Sequence, residues 1–151
     1  MKKILFVCHG NICRSPMAEF VMKELVKKAG LENDFYIKSA ATSTEEIGND
    51  IHRGTKTVLQ KNNIAFERRQ ARRITVSDYD DFDFLIGMDE ENLYYMNKVW
   101  NNDPHGKISL LMEFAGENRE VADPWYTGNF EKTYLDVVAG CKGLLATCLK
   151  N

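Results

Sequence analysis

Four apolar residues, Ile4-Leu5-Phe6-Val7, run directly into Cys8-His9-Gly10-Asn11-Ile12-Cys13-Arg14-Ser15, and Pro16 follows at once. A short apolar run without polar alternation marks a strand buried on both faces, as in a parallel sheet. A helix is then signalled by Ser15 as N-cap, Pro16 in the first helical position and Glu19 as a first-turn carboxylate. Ala18, Val21, Met22, Leu25 and Ala29 share one face at helical spacing, and Gly30 supplies a stop. Strand, tight loop and helix make the first half of a right-handed crossover. Few folds accept that opening.

The rest of the chain keeps the alternation. Strands are expected at residues 36–41, 82–88 and 107–111, and helices at 53–61, 89–97 and 129–149. The last helix carries Tyr134, Val137, Val138, Cys141, Leu145 and Cys148 on one face. The pattern predicts an α/β fold with a small four-stranded parallel sheet, helices on both faces and ligands bound beyond the carboxyl ends of the strands. No repeat, linker or composition shift divides residues 1–151, so a single domain is expected. At 151 residues the chain is long enough to bury a core without disulfides or a structural metal.

Charge narrows the partners. Lys and Arg number 20 against 22 Asp and Glu, a balance that gives no basic surplus for nucleic acid or an anionic membrane. Any anion must therefore be held by a local arrangement. The Lys2-Lys3 head and its four-residue apolar run are too short for a secretory signal, so a cytoplasmic protein with reduced thiols is expected. The cysteines form no C-x-x-C, which removes zinc-ribbon and thioredoxin readings. Cys141 and Cys148 lie seven apart on an apolar helix face and read as core. His52 and His105 read as surface or loop residues, and Arg68, Arg69, Arg72 and Arg73 as a solvated face. Asp78, Asp80, Asp81 and Asp83 offer a D-x-D, but Asp83 precedes the apolar Phe84-Leu85-Ile86, whereas an aspartate nucleophile follows a buried strand.

Chemistry concentrates in residues 8–15. A tight loop between a buried strand and a helix N-terminus turns its N–H groups inward and makes a concave anion site with the helix dipole. Gly10 allows backbone to approach a ligand, and Asn11 tolerates a left-handed conformation and can tie the loop through its side chain. At the floor of such a cup a cysteine is held as its thiolate. Arg14 closes the ring with a planar fork that grips two phosphoryl oxygens, and Ser15 is placed to donate to the sulfur. A thiolate facing a phosphate monoester is a nucleophile aimed at phosphorus. The departing oxygen then needs a proton and the attacking water a base. Asp123 in Asp123-Pro124-Trp125-Tyr126 is the candidate: Pro124 keeps it out of helical geometry, and Trp125 and Tyr126 are expected to desolvate it and to wall an aromatic substrate.

Together these blocks resemble the low-molecular-weight protein tyrosine phosphatases. The resemblance covers the whole chain: Val7 to Pro16 at the start, Ser39-Ala40-Ala41-Thr42-Ser43, Gly87-Met88-Asp89, and Asp123-Pro124-Trp125-Tyr126 near the end. It implies Cys8 as nucleophile, Arg14 as phosphate clamp and Asp123 as acid and then base. The residues His9, Gly10, Asn11, Ile12, Cys13, Arg14 and Ser15 would cradle phosphate, Trp125 and Tyr126 would meet the substrate, and Asn11, Ser15 and Ser39 would hold the loop. It also implies no metal or other cofactor, phosphotyrosine proteins as substrates, and phosphate or other oxyanions as product or inhibitor.

Relatives that hydrolyse phosphoarginine resemble the chain less, having Thr where Ile12 stands and a single aromatic followed by Gly where Trp125-Tyr126 stand. His9 occupies a position often apolar in the family, and Glu45 one where some members have an aromatic wall. Cys13, five residues from Cys8, reads either as an inert loop thiol or as a partner for a reversible disulfide protecting Cys8. Three other classes fit less well. A thiol-dependent arsenate reductase needs a cysteine relay that helical Cys141 and Cys148 do not offer. A cysteine-phosphorylated sugar-transport carrier has no use for Arg14 and Asp123, and a phosphopeptide-binding module has none for the acid.

Overall fold

The structure, a computed structural model, describes residues 1–150. In chain order it comprises β1 (Lys2–Cys8), α1 (Arg14–Lys28), β2 (Phe35–Ala41), α2 (Arg53–Lys61), α3 (Asp78–Asp81), β3 (Phe84–Gly87), α4 (Glu90–Val99), β4 (Ile108–Leu110), α5 (Pro124–Thr127) and α6 (Phe130–Leu149). Single 3-10 turns occupy Glu32–Asp34 and Leu111–Ala115. The four strands form one parallel sheet in the order β2-β1-β3-β4.

The apolar run at the start becomes the interior strand. Its side chains alternate between two cores, as the pleat requires. Ile4, Phe6 and Cys8 join Met17 and Met22 of α1 with Val137, Cys141 and Leu144 of α6, while Leu5 and Val7 join Tyr79, Phe82, Met96 and Trp100 on the side of α3 and α4. Both faces are therefore covered by helices, as expected. The connection from β1 through α1 leads to one side of β1, and β3 lies on the other. The loops after β1 and β3 thus diverge at a topological switch point, where open α/β sheets keep their crevice.

Three local expectations are corrected. The first helix begins at Arg14 with Cys13 at its N-cap and no side-chain cap, so neither Ser15 nor Glu19 has its expected helix-start role. Ser15 spends its hydroxyl on Cys8 and Asn11 instead. The buried face of α1 is also wider than predicted, taking in Met17, Phe20 and Val26 while Ala29 is exposed. Finally, β3 starts at Phe84, because the acidic run folds into the short helix α3, whose Asp78 carboxylate accepts from the Thr75 amide at 2.8 Å.

The other boundaries follow sequence signals closely. Asp89 caps α4, accepting from the Asn92 amide at 2.7 Å while the Asn92 side chain accepts from Asp89 N–H. On α6, Gly143 lets the Leu111–Ala115 turn approach so closely that a Cβ there would sit 1.8 Å from the Phe114 carbonyl oxygen. Among the described residues, no helix is long and apolar enough to cross a membrane.

Candidate active site

The loop from Cys8 to α1 is built around Asn11, which is buried and left-handed at φ 58°. Its side-chain amide donates to Ser15 Oγ at 2.8 Å and to Ser39 Oγ at 2.9 Å. Its Oδ1 accepts from the main-chain amide of Arg72 at 3.2 Å, which fixes which end is oxygen. Ser39 lies near the carboxyl end of β2 and donates its hydroxyl hydrogen to Glu19 Oε1 at 2.6 Å. Glu19 is itself buried and anchored by Lys23 at 2.6 Å.

These contacts set the direction of the hydrogen bonds from Glu19 through Ser39, Asn11 and Ser15 to Cys8. With the Ser39 hydrogen given to Glu19, its oxygen is the acceptor for Asn11. The second Asn11 hydrogen goes to the Ser15 oxygen, so the Ser15 hydroxyl hydrogen is left for Cys8 Sγ, 3.0 Å away. The Ser15 amide also points at the sulfur, at 3.4 Å. Cys8 Sγ thus faces two donors from Ser15.

Arg14 stands beside this sulfur with only 2% of its surface exposed. Its fork donates to Asp89 Oδ2 at 2.7 Å and the Val121 carbonyl at 2.9 Å, and reaches Asp123 Oδ2 at 3.3 Å. Burial alone would lower the guanidinium, but Cys8, Asp89 and Asp123 outweigh it and hold Arg14 above the ordinary arginine value. Asp89 comes from the loop after β3, so the switch point brings the two halves of this pair together. Asp123 is extended, as its proline requires, and caps α5 by accepting from Trp125 N–H at 3.0 Å.

Cys8, His9, Gly10, Ile12, Cys13, Arg14 and Asp123 line one cleft with Glu45, Glu46, Trp125 and Tyr126. Its volume of about 110 Å³ is below the roughly 300–1,000 Å³ of pockets that engulf drug-sized ligands, so it suits one inserted side chain. Asn11, Ser15 and Ser39 lie behind this lining as supports. Trp125 and Tyr126, 57% and 83% exposed, stand in the cleft wall beside Asp123.

Several residues play parts that their local sequence does not disclose. Arg69 and Arg72 are half-buried supports of the loop, unlike the exposed Arg68 and Arg73. Arg69 donates to the Asn11 and Asn49 carbonyls, and Arg72 forks onto Asp78. His52 is half-buried, caps α2 through Nδ1, stacks on Phe130 at 5.1 Å and meets the Trp125 ring edge-on at 5.7 Å. His105 is exposed, as expected. His9 pairs with Glu45 at 2.7 Å, adding a polar stretch to the cleft lining. All four cysteines are free thiols. Burial, with Cys8 and Asp123 adding to it and Arg14 opposing, pushes Cys13 up to about 12, so it is a neutral thiol at pH 7. Cys141 and Cys148 pack in the core, as their spacing predicts. Glu19 and Asp89 were not singled out as site residues; a carboxylate one turn inside an apolar helix face was the available signal for Glu19.

Comparison with known proteins converges on one group. A family model described as low molecular weight phosphotyrosine protein phosphatase matches residues 3–151. The low molecular weight protein-tyrosine-phosphatase YfkJ of Bacillus subtilis is 40% identical, with 100% of this chain and 98% of the relative covered. Its crystal structure superposes with a TM-score of 0.96 at 39% identity, covering 99% and 96% of the two chains. The phosphatase PtpA of Staphylococcus aureus strain MRSA252 is 36% identical over 100% of this chain and 96% of its own. The crystal structure of SP-PTP from Streptococcus pyogenes matches with a TM-score of 0.88 and 43% identity, over 97% of this chain and 93% of that one.

Proposed function

The chain belongs to the low molecular weight phosphotyrosine protein phosphatases, and on that premise we propose that it hydrolyses phosphotyrosine in proteins, and small aryl phosphates, through a cysteinyl-phosphate intermediate. We read residues 1–151 as one catalytic domain. The four free thiols fit a reducing compartment, and on this reading the enzyme works in the cytoplasm.

One observation carries the mechanism: Cys8 Sγ, with two Ser15 donors aimed at it, lies in the same narrow cleft as the Arg14 fork and the Asp123 carboxyl. The sulfur attacks phosphorus, and an S–P bond forms as the bond to the phenolic oxygen breaks. Asp123 gives its proton to that oxygen, and tyrosine leaves. Asp123, now a carboxylate, takes a proton from water, whose oxygen attacks phosphorus. The S–P bond breaks, inorganic phosphate departs and the Cys8 thiolate returns. Arg14 and the loop amides hold the phosphoryl oxygens through both steps. Asp89 keeps the fork aimed at the cleft, and Ser15 steadies the sulfur as a leaving group.

Ile12 and the Trp125-Tyr126 pair in the cleft lining, where the phosphoarginine-hydrolysing relatives differ, favour an aryl ester over a phosphorylated guanidinium. The test is hydrolysis of an aryl phosphate, a phosphotyrosine peptide and phosphoarginine by the wild type, Cys8→Ser and Asp123→Asn. The Cys8 variant loses turnover, and the Asp123 variant slows by about 10²–10⁴-fold, the usual worth of general acid–base catalysis. Undiminished turnover in Cys8→Ser rules the mechanism out, and faster turnover of phosphoarginine than of the aryl substrates reverses the specificity.

A further inference from the structure

Asn11 is left-handed, and its carbonyl is turned to the rear of the loop, where the Arg69 guanidinium receives it through Nη2. In a trans peptide the N–H points opposite to the C=O. A carbonyl held at the rear therefore sends the Ile12 N–H forward, and Ile12 lines the Cys8 cleft.

Arg69 differs from the other buried or half-buried arginines near the site. Arg14 rests on Asp89 and Asp123, and Arg72 on Asp78. The Arg69 fork is spent on two main-chain carbonyls, those of Asn11 and Asn49, and among the described residues no carboxylate is in contact with it. Burial holds its guanidinium below the ordinary arginine value, while Glu19, Cys8 and Asp50 draw it back.

We infer that Arg69 is a positioning residue for oxyanion binding: seated on the outward carbonyl of Asn11, it aims the Asn11–Ile12 peptide at the cleft and places positive charge behind the bound phosphoryl group. The inference rests on the phosphatase reading but concerns the loop's affinity for the anion. A cation on the carbonyl polarises the peptide and makes its N–H a stronger donor. The alternative is a purely mechanical role, pinning the segment around Asn49 to the loop.

Two substitutions separate these roles. Arg69→Gln keeps an amide donor for the Asn11 carbonyl but removes the charge, and Arg69→Lys keeps the charge without the fork. Arg69 borders a second cavity of about 520 Å³, shared with Asn11, Glu19 and Ser39, so water can reach a shortened side chain and both variants are expected to fold. Inorganic phosphate binding is measured by calorimetry and by protection of Cys8 from alkylation, beside kcat and KM for an aryl phosphate and the melting temperature.

Phosphate affinity of Arg69→Gln falls about tenfold, the worth of a charged over a neutral hydrogen bond. KM rises with it, and Arg69→Lys recovers most of the loss. Unchanged phosphate affinity in Arg69→Gln overturns the inference, as does an equal loss in both variants, since charge would then not be the cause. Should the wild type bind phosphate and respond to Arg69 yet hydrolyse no aryl ester, the phosphatase reading fails while the role of Arg69 stands.

Discussion

Replacing Asn11 tests the direction of the hydrogen-bond relay that ends at Cys8. In Asn11→Ala, a left-handed non-glycine residue at φ 58° costs about 1 kcal/mol. The Arg72 amide, which donates to Asn11 Oδ1 at 3.2 Å, loses its partner at about 1–3 kcal/mol. Ser15 and Ser39 lose a donor but keep their own acceptors, so unfolding in urea should show a loss of about 3 kcal/mol. Asn11→Gly recovers about 1 kcal/mol of this because glycine accepts the left-handed backbone freely. Asn11→Asp is the decisive variant. It keeps an acceptor for Arg72 but presents oxygen where the amide donated at 2.8 and 2.9 Å to Ser15 and Ser39. Ser15 must then turn its hydrogen away from Cys8. Losing a hydrogen bond to the thiolate that the proposed mechanism uses, about 1.5–3 kcal/mol, slows kcat by roughly 10–150-fold. Stopped-flow or steady-state assay of an aryl phosphate reads this directly. A kcat for Asn11→Asp equal to the wild type would refute the relay's direction.

Two further outcomes concern stability. A methyl group in Gly143→Ala would meet backbone, 1.8 Å from Phe114 O and 2.5 Å from its carbon, so α6 and the Leu111–Ala115 turn must separate; about 3 kcal/mol of overpacking lowers the calorimetric melting temperature by roughly 6–12 °C, and no drop would mean the turn repacks freely. Asp50 links the same Arg69 segment to Lys56: burial pushes its carboxyl up, but hydrogen bonds from Lys56 and from the Ile51 and Arg69 amides hold it down from 3.8 to about 2. Because the folded value is the lower one, its stabilising contribution is whole above about pH 4 and disappears as pH falls toward 2. Urea midpoints of wild type and Asp50→Asn should therefore differ at pH 6 and converge near pH 2, and a pH-independent gap would assign the loss to geometry instead of charge.

Whatever depends on neighbours in the chain is legible in the sequence. Strand β1 was readable because a strand buried on both faces tolerates no polar residue. The loop proposed to hold phosphate was readable because Cys8, Asn11, Arg14 and Ser15 must fall within one tight turn to serve one anion. Asp123 was legible because the proline after it forces extended backbone. Boundaries slipped where a side chain had a competing partner: Ser15 looks like a helix cap and is a donor to sulfur. Trp125 and Tyr126 read as a wall of the cleft, and they are that while remaining largely exposed on a four-residue helix.

Partners far apart in sequence belong to another category. Arg14 meets Asp89 across 75 residues and the Val121 carbonyl across 107. Asn11 meets Ser39 across 28 and the Arg69 guanidinium across 58. No local pattern encodes these distances. They follow from the sheet order, which sends the loops after β1 and β3 apart and leaves a crevice between them, and from the segment before α3 running beside the β2 edge at Ala41 and Arg73. Spacing along the chain singled out Cys8, Arg14 and Asp123; the long-range packing supplied the carboxylate under Arg14, the arginine behind the loop, and the one arrangement of hydrogens that points Ser15 at the sulfur.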